Sequence, residues 1–133
     1  MRKLLFFAVL ISSCTAKFTP TEGSVAIKRE TRKMLDSKVN KMAGVTTNNL
    51  TYYFIMNENN TFAAVVNMND SKQYDFCAGT FEYNADTLNL NYYKNYKSKY
   101  LTDRVVVDDF NKEMVFINDD STKNTKIKIL NVL

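Results

Sequence analysis

Hydrophobic and polar residues alternate along most of the chain from Leu50 onward, a period typical of β-strands with one buried face. Leu50–Met56 and Thr61–Val66 flank the polar turn sequence Asn57–Asn60 and predict a first hairpin. Gly79–Tyr83 and Thr87–Tyr92 predict a second hairpin, in which every second residue is apolar. The apolar face of that hairpin carries Phe81, Tyr83, Leu88, Leu90 and Tyr92.

The same period predicts strands in the last third of the chain. Val105–Val107 and Met114–Ile117 form a third hairpin, and Lys126–Leu130 forms a last strand. The polar segment Asn67–Tyr74 predicts a longer loop or an edge strand. About seven to eight short antiparallel strands must hide their apolar faces, so we predict a mainly β fold: a small antiparallel meander barrel or a two-layer sandwich. The sequential hairpins favour the up-and-down barrel.

One segment has the 3.6-residue period of a helix instead. The range Glu30–Met42 predicts one N-terminal helix, with charged residues over most of its surface. Its apolar face consists of Met34, Leu35, Val39 and Met42. We expect this face to pack over an open end of the β core. The alternative is a basic amphipathic helix that lies on anionic lipid headgroups.

The beginning of the chain has the pattern of an export signal. Arg2 and Lys3 precede an unbroken apolar run from Leu4 to Ile11, and small residues follow the run. This run is too short to cross a bilayer, because a spanning helix takes about 20 residues. The segment therefore predicts export of the protein and is not itself a membrane anchor.

The sequence Ile11-Ser12-Ser13-Cys14 resembles the lipobox of bacterial lipoproteins. The resemblance implies cleavage before Cys14, so that residues 1–13 are a signal peptide, and it implies lipidation of the Cys14 thiol. In that family an acidic residue directly after the cysteine retains the protein at the inner membrane. Thr15 is not acidic, so the resemblance implies the outer membrane. Residues 14–24 are then the lipidated cysteine and a flexible tether, and residues 25–133 are a single domain. The alternative is an ordinary secretory signal that is cut after Ala16.

The domain itself also shows a resemblance. Asn59–Phe62, Gly79–Tyr83 and Asp86–Leu90 lie within residues 50–92, and their pattern is similar to that of small lipocalin-like envelope lipoproteins, including NlpE-like domains. The chain departs from that family because it has no tryptophan and no Cys-x-x-Cys motif. The resemblance therefore implies a barrel fold, and it implies neither a ligand nor a metal.

The composition argues against most catalytic chemistry. The chain has no histidine, which removes Ser-His-Asp and Cys-His catalysis and most zinc or copper sites. We expect no catalytic residues, no metal ligands and no cofactor. The formal net charge of +4 falls to +2 once Arg2 and Lys3 leave with the signal, and the remaining basic residues are mixed with acidic ones. We therefore expect no binding to nucleic acid.

Two features remain as candidates for chemistry or recognition. Cys77 lies between Phe76 and Ala78, so we predict a buried structural thiol. The tyrosine- and lysine-rich segment Tyr92–Tyr100 offers a candidate partner surface. Its residues are Tyr93, Lys94, Tyr96, Lys97 and Lys99. The alternative is that its tyrosines complete the core while its lysines keep a sheet edge soluble.

These observations predict a lipid-anchored bacterial cell-envelope lipoprotein with a non-enzymatic binding or structural β domain. The expected partners are the membrane, through the N-terminal lipid, and a protein or a small apolar ligand, and the protein is expected to be a monomer. Two alternatives stay open. One is a lipocalin-like carrier with a small apolar ligand inside the barrel, and the other is a secreted inhibitor or interaction protein that acts through exposed loops.

Overall fold

The computed structural model describes residues 18–130, which form a β-rich fold with one α-helix. Its elements are β1 (Thr19–Pro20), α1 (Glu22–Glu30), β2 (Val39–Thr47), β3 (Leu50–Asn57), β4 (Thr61–Met68), β5 (Gln73–Asn84), β6 (Thr87–Tyr92), β7 (Arg104–Asp108), β8 (Glu113–Phe116) and β9 (Thr125–Leu130). Short 3₁₀ turns at Tyr93–Asn95 and Ser121–Lys123 lie in the connections that follow β6 and β8.

Strands β2 to β9 form a closed antiparallel barrel. Each strand pairs with the next strand along the chain, and β2 also pairs with β9, which places Ala43 opposite Ile129. Because this last pairing joins the two ends of the meander, the barrel has no free seam between its first and last strands. The predicted up-and-down meander barrel is therefore confirmed, and the two-layer sandwich is not formed.

The predicted hairpins are present as β3–β4, β5–β6 and β7–β8, and the predicted last strand is β9. Phe81 lies opposite Leu90 in the second hairpin, which puts both side chains on one face. The prediction of a longer loop or an edge strand over Asn67–Tyr74 is wrong. Strand β4 continues to Met68 and β5 begins at Gln73, because the polar residues of this segment lie in a short turn and at the ends of two paired strands.

Aromatic rings fill the middle of the barrel. Phe54 stacks on Phe62 with ring centroids 5.5 Å apart, and Tyr92 meets Phe62 edge to face at 5.2 Å. Phe62, Met56 and Met114 are 0% exposed. A side chain beside a void large enough for water would retain accessible surface, so the interior around these residues is packed solid.

A second apolar cluster lies on the outside of the barrel, between α1 and the outer face of β2 to β5. Ile27 on α1 and Leu35 after it cover Val65 and Phe76. Strand β4 is consequently buried on both faces. This double burial accounts for the nearly continuous apolar sequence Phe62–Val66, since only strands covered on both sides lose the alternating pattern.

The predicted helix Glu30–Met42 is wrong. Helix α1 ends at Glu30, where the Thr31 hydroxyl and the Thr31 amide both donate to the Ile27 carbonyl oxygen. The second half of the predicted helix belongs to β2, whose pairing with β3 shifts register between Val39 and Lys41. This bulge puts Val39 and Met42 into the same outer cluster. A bulged strand thereby acquires the three-residue spacing that a helix would show.

The part of the predicted tether that the structure describes, residues 18–24, is folded. The Thr19 amide donates to the Lys72 carbonyl oxygen at 2.9 Å, and β1 runs parallel to β5. Strand β6 ends at Tyr92, opposite Gly79, so the first half of β5 would present an uncovered edge without β1. Covering that edge is the physical reason why Thr19 and Pro20 form a strand. Residues 1–17, with the signal peptide and Cys14, lie outside the described residues.

Candidate functional site: the covered end of the barrel

The two ends of the barrel differ in how the strands are connected. The connections β3–β4, β5–β6 and β7–β8 are short turns, and we call this the turn end. The longest connection, residues 93–103 between β6 and β7, lies at the opposite end. We call residues 93–103 the covering segment and this end the covered end. The β2–β3, β4–β5 and β8–β9 connections also lie there.

Backbone and side-chain contacts hold the covering segment over the barrel. Leu101 is buried and belongs to the interior cluster. The Tyr92 hydroxyl donates to the Thr102 carbonyl oxygen at 2.7 Å, and burial raises the pKa of Tyr92. The Ser98 amide donates to the Cys77 sulfur at 3.2 Å. The segment therefore closes this end with both apolar and polar contacts.

A polar network joins α1, β5 and the covering segment around Asp75. The Thr21 hydroxyl donates to one carboxylate oxygen of Asp75 at 2.6 Å, and the Ser98 hydroxyl donates to the other at 2.7 Å. The Tyr96 hydroxyl hydrogen-bonds with Thr21 and Ser24 at 3.1 Å each. Both carboxylate oxygens of Asp75 thus accept hydrogen bonds from within the protein. This arrangement suits a residue that fastens the covering segment.

Gly23 makes room for this network. A Cβ atom on Gly23 would overlap the ring of Tyr96, with the Cζ atom at 2.8 Å. No Cβ contact is that short in folded proteins, so a larger residue would push the Tyr96 ring away from Thr21 and Ser24. Glycine at the first turn of α1 is therefore required by the close approach of the covering segment.

The predicted partner surface lies on the covering segment, and most of its side chains have partners within the protein. The Tyr93 hydroxyl donates to Glu30 at 3.1 Å, and Lys94 forms an ion pair with the same carboxylate at 2.7 Å. The hydrogen bond from Lys94 lowers the pKa of Glu30. Lys97 pairs with Asp103 at 3.2 Å. The structure therefore brings these residues together mainly as fastenings of the segment.

Lys99 is the exception among these residues. It is exposed and makes no ion pair or side-chain hydrogen bond within residues 18–130, and its nitrogen is 5.1 Å from the centroid of the Tyr100 ring. Two clefts lie at the covered end and share Leu101, Thr102 and Asn118, and Lys99 lines the smaller of the two. The larger cleft, about 270 Å³, adds Lys97, Asp103, Arg104, Ile117 and Asp119. The smaller cleft, about 180 Å³, adds Tyr52, Lys99, Tyr100, Phe116, Lys123 and Thr125.

The smaller cleft was not evident in the sequence. Its residues come from β3, the covering segment, the end of β8, the β8–β9 connection and the start of β9, and only barrel closure brings them together. Tyr52 supplies a hydroxyl near Thr125, and burial raises its pKa. No local signal in the sequence links Lys123 to Lys99, because the two residues lie on separate connections.

Cys77 is buried and has no disulfide within residues 18–130, which confirms the predicted burial of its thiol. Burial raises the pKa of the thiol to about 12, and the hydrogen bond from the Ser98 amide only partly offsets this. A thiol that keeps its proton at neutral pH is a poor nucleophile. The structure therefore gives Cys77 a packing role beneath the covering segment.

Two neighbouring acidic residues, Asp108 and Asp109, lie where β7 ends and the β7–β8 turn begins. Asp108 accepts from the Asn111 amide at 3.0 Å and from the Asn111 side chain at 2.7 Å, and these hydrogen bonds lower its pKa. Within residues 18–130 no three acidic or cysteine side chains lie close enough together to hold a metal ion. Over the same range no helix has the length and apolarity needed to cross a membrane.

The β7–β8 turn displays the most exposed aromatic side chain among residues 18–130. Phe110 is 93% exposed, between the Asp108–Asn111 hydrogen bonds and the ion pair of Asp109 with Lys41 at 3.5 Å. An aromatic ring on a turn held by such contacts loses little conformational freedom when a partner binds it. No sequence pattern singles out this residue, because one Phe in a polar turn has no periodic neighbour.

Comparisons with known proteins add no functional assignment. No family model, no curated protein and no solved structure matches the chain.

Proposed function

We propose that this protein is a lipid-anchored bacterial cell-envelope protein whose barrel domain is non-enzymatic and serves in binding or support. One observation carries the proposal: the leader ends in Ile11-Ser12-Ser13-Cys14, directly after a short basic and apolar stretch. Two or three acyl chains on Cys14 would hold the domain at a membrane, because each buried methylene adds about 0.8 kcal/mol. Thr15 after the cysteine supports the outer membrane as the location.

The barrel supports a role at the surface over a role as a carrier of apolar ligands. The aromatic side chains that would line a ligand cavity contact one another, and Phe62 has no accessible surface. The clefts at the covered end are lined mostly by charged, hydroxyl and amide side chains, and their apolar residues are Leu101, Phe116 and Ile117. An apolar ligand would gain little there, since burial of apolar surface drives such binding.

Incorporation of labelled palmitate tests the anchor. We expect label in the wild type and in Cys77→Ala, and none in Cys14→Ser, because Cys77 is buried and Cys14 is the acceptor. Cys77→Ala is the matched control, since it removes the other cysteine of the chain. Equal labelling of Cys14→Ser and wild type would overturn the proposal, as would a mature protein that begins after Cys14.

A second candidate function is an interaction protein that acts through an exposed loop, and Phe110 favours it. Exposed aromatic residues on rigid turns are common anchors of protein interfaces. We expect Phe110→Ala to lose a specifically captured envelope protein while Lys94→Gln/Lys97→Gln retains it. Phe110→Ala should melt like the wild type, and the lysine variant should be only slightly less stable, because the ion pairs that it removes are exposed to solvent and contribute little to stability. Loss of capture by the lysine variant alone would return the binding role to the covering segment.

A further inference from the structure

We propose that the covered end of the barrel docks on anionic lipid headgroups, and that the smaller cleft accepts a headgroup phosphate between Lys99 and Lys123. This inference rests on the proposed lipid anchor and adds to it a membrane-facing surface and a ligand class. Three independent features of the described residues support it: the place where the chain meets the barrel, the charges around the cleft and the contrast with the turn end.

The chain enters the fold at the covered end. Thr19 lies opposite Gln73, the first residue of β5, and the Lys72 nitrogen is 5.3 Å from the centroid of the Phe18 ring. Four residue steps separate Phe18 from Cys14, and they span at most about 14 Å when fully extended. An acylated Cys14 must therefore hold the covered end close to the headgroups, whatever conformation the intervening residues adopt.

The smaller cleft has the chemistry of an anion site. Lys99 and Lys123 contribute two ammonium groups, no carboxylate lines this cleft, and neither lysine forms an ion pair within residues 18–130. Tyr52, Tyr100 and Thr125 supply hydroxyl groups. Ammonium and hydroxyl donors together are the partners that phosphate oxygens prefer. In the larger cleft Asp103 pairs with Lys97, so an anion gains less there.

The turn end differs from the covered end in its distance from the N-terminal connection. Both ends carry carboxylates, such as Asp86 and Asp109 at the turn end and Asp70 and Asp119 at the covered end, so acidic residues alone do not distinguish them. A strand of eight residues spans about 26 Å, so the turn end lies well beyond the reach of the short N-terminal connection.

Tryptophan fluorescence offers a direct measure of orientation, because the chain has no tryptophan of its own. Asn49→Trp places a probe at the covered end, where the Asn49 carbonyl oxygen accepts from the Asn69 amide, and Phe110→Trp places one at the turn end. The lipidated full protein would be reconstituted into phosphatidylglycerol vesicles that contain brominated lipid. We expect quenching of the Asn49→Trp probe and little quenching of the Phe110→Trp probe.

Charge variants then test the cleft. In the Asn49→Trp protein, Lys99→Gln/Lys123→Gln should shift the docked-to-undocked ratio about 30-fold towards the undocked form, since each lysine near an anionic surface accounts for about a fivefold change. The matched control, Lys33→Gln/Lys112→Gln, removes the same charge away from the covered end and should leave quenching unchanged. Equal effects of the two pairs would overturn the role of the cleft.

Two further measurements complete the test. One distinguishes a lipid headgroup from free phosphate as the ligand, and the other distinguishes a failure of docking from a failure of the anchor. At constant ionic strength, inorganic phosphate should not reverse the quenching of the Asn49→Trp probe on anionic vesicles. Reversal of the quenching, together with binding of inorganic phosphate in solution, would overturn the headgroup in favour of a free phosphate. Flotation with the vesicles reports the anchor itself. A protein that floats while both tryptophans are equally quenched contradicts docking alone, whereas one that does not float contradicts the proposed function.

Discussion

Cys77 shows how the barrel changes the chemistry of a single side chain. Its sulfur lies in the interior cluster and accepts from the Ser98 amide, and both this hydrogen bond and the positive charge of Lys97 favour the thiolate. Burial outweighs them, and the pKa rises from the ordinary value of 9.0 to about 12, with the charge of Asp75 adding to the rise. The same residue would be reactive in an unfolded chain.

This shift predicts a loss of stability in alkaline solution. Between pH 9 and pH 12 the folded state keeps a proton that the unfolded state has lost, so the free energy of unfolding falls by up to about 1.4 kcal/mol per pH unit. Chemical denaturation at about pH 8 and about pH 10.5 should show a drop about 2 kcal/mol larger in the wild type than in Cys77→Ala. Buried tyrosines titrate in both proteins, so the variant is the control. Equal drops would contradict this prediction.

At the scale of secondary-structure elements, local patterns could be predicted and long-range pairings could not. The β3–β4 and β5–β6 hairpins follow from alternation and turn residues, all within a few positions of each other. Strand β1 pairs with β5, and the hydrogen bond from Thr19 to Lys72 beside this pairing joins residues 53 positions apart, so no local pattern predicts it. The bulge in β2 has the spacing of a helix, and only pairing with β3 and β9 resolves the ambiguity.

The candidate site shows the same difference between features that local sequence predicts and contacts that only the fold creates. The Tyr92–Tyr100 segment is conspicuous in the sequence, and it does form the cover of the barrel. Its contacts come from α1 and from β5, which supply Glu30, Thr21 and Asp75. Because those partners lie at sequence separations of more than 20 residues, the sequence could not distinguish an exposed recognition surface from a fastened one.

The contact between Gly23 and Tyr96 gives a prediction at this scale. Gly23→Ala should lower the free energy of unfolding by about 1–3 kcal/mol, because the added methyl overlaps the Tyr96 ring. In a Tyr96→Ala background the overlap is gone, and the same change should raise stability by about 0.5–1 kcal/mol through helix propensity. A denaturation series on the four proteins measures both effects. If Gly23→Ala changed the free energy of unfolding in the same direction in both backgrounds, the Tyr96 ring would not be the reason that glycine is needed at this position.

At the scale of the whole molecule, the barrel uses its aromatic residues as filling. Inside, Phe54, Phe62 and Phe116 pack against one another, and outside, α1 covers β4 and β5. Such a core has no space for a ligand, so the recognition proposed above falls to the two ends of the barrel. The covered end presents Lys99 and the turn end presents Phe110, so the proposed membrane contact and the proposed partner contact lie at opposite ends of the molecule.

A filled interior also makes a testable difference to ligand binding. The wild-type protein should show no saturable binding of a fluorescent fatty acid, because Phe62 has no accessible surface. Phe62→Ala should cost about 3–5 kcal/mol and leave a dry cavity in which a small apolar molecule such as benzene gains affinity. Phe110→Ala removes the same atoms from a side chain that is 93% exposed, and it should change stability by less than about 0.5 kcal/mol. Saturable fatty-acid binding by the wild type would contradict this prediction and support the lipocalin-like carrier, since the interior would then have to open in solution.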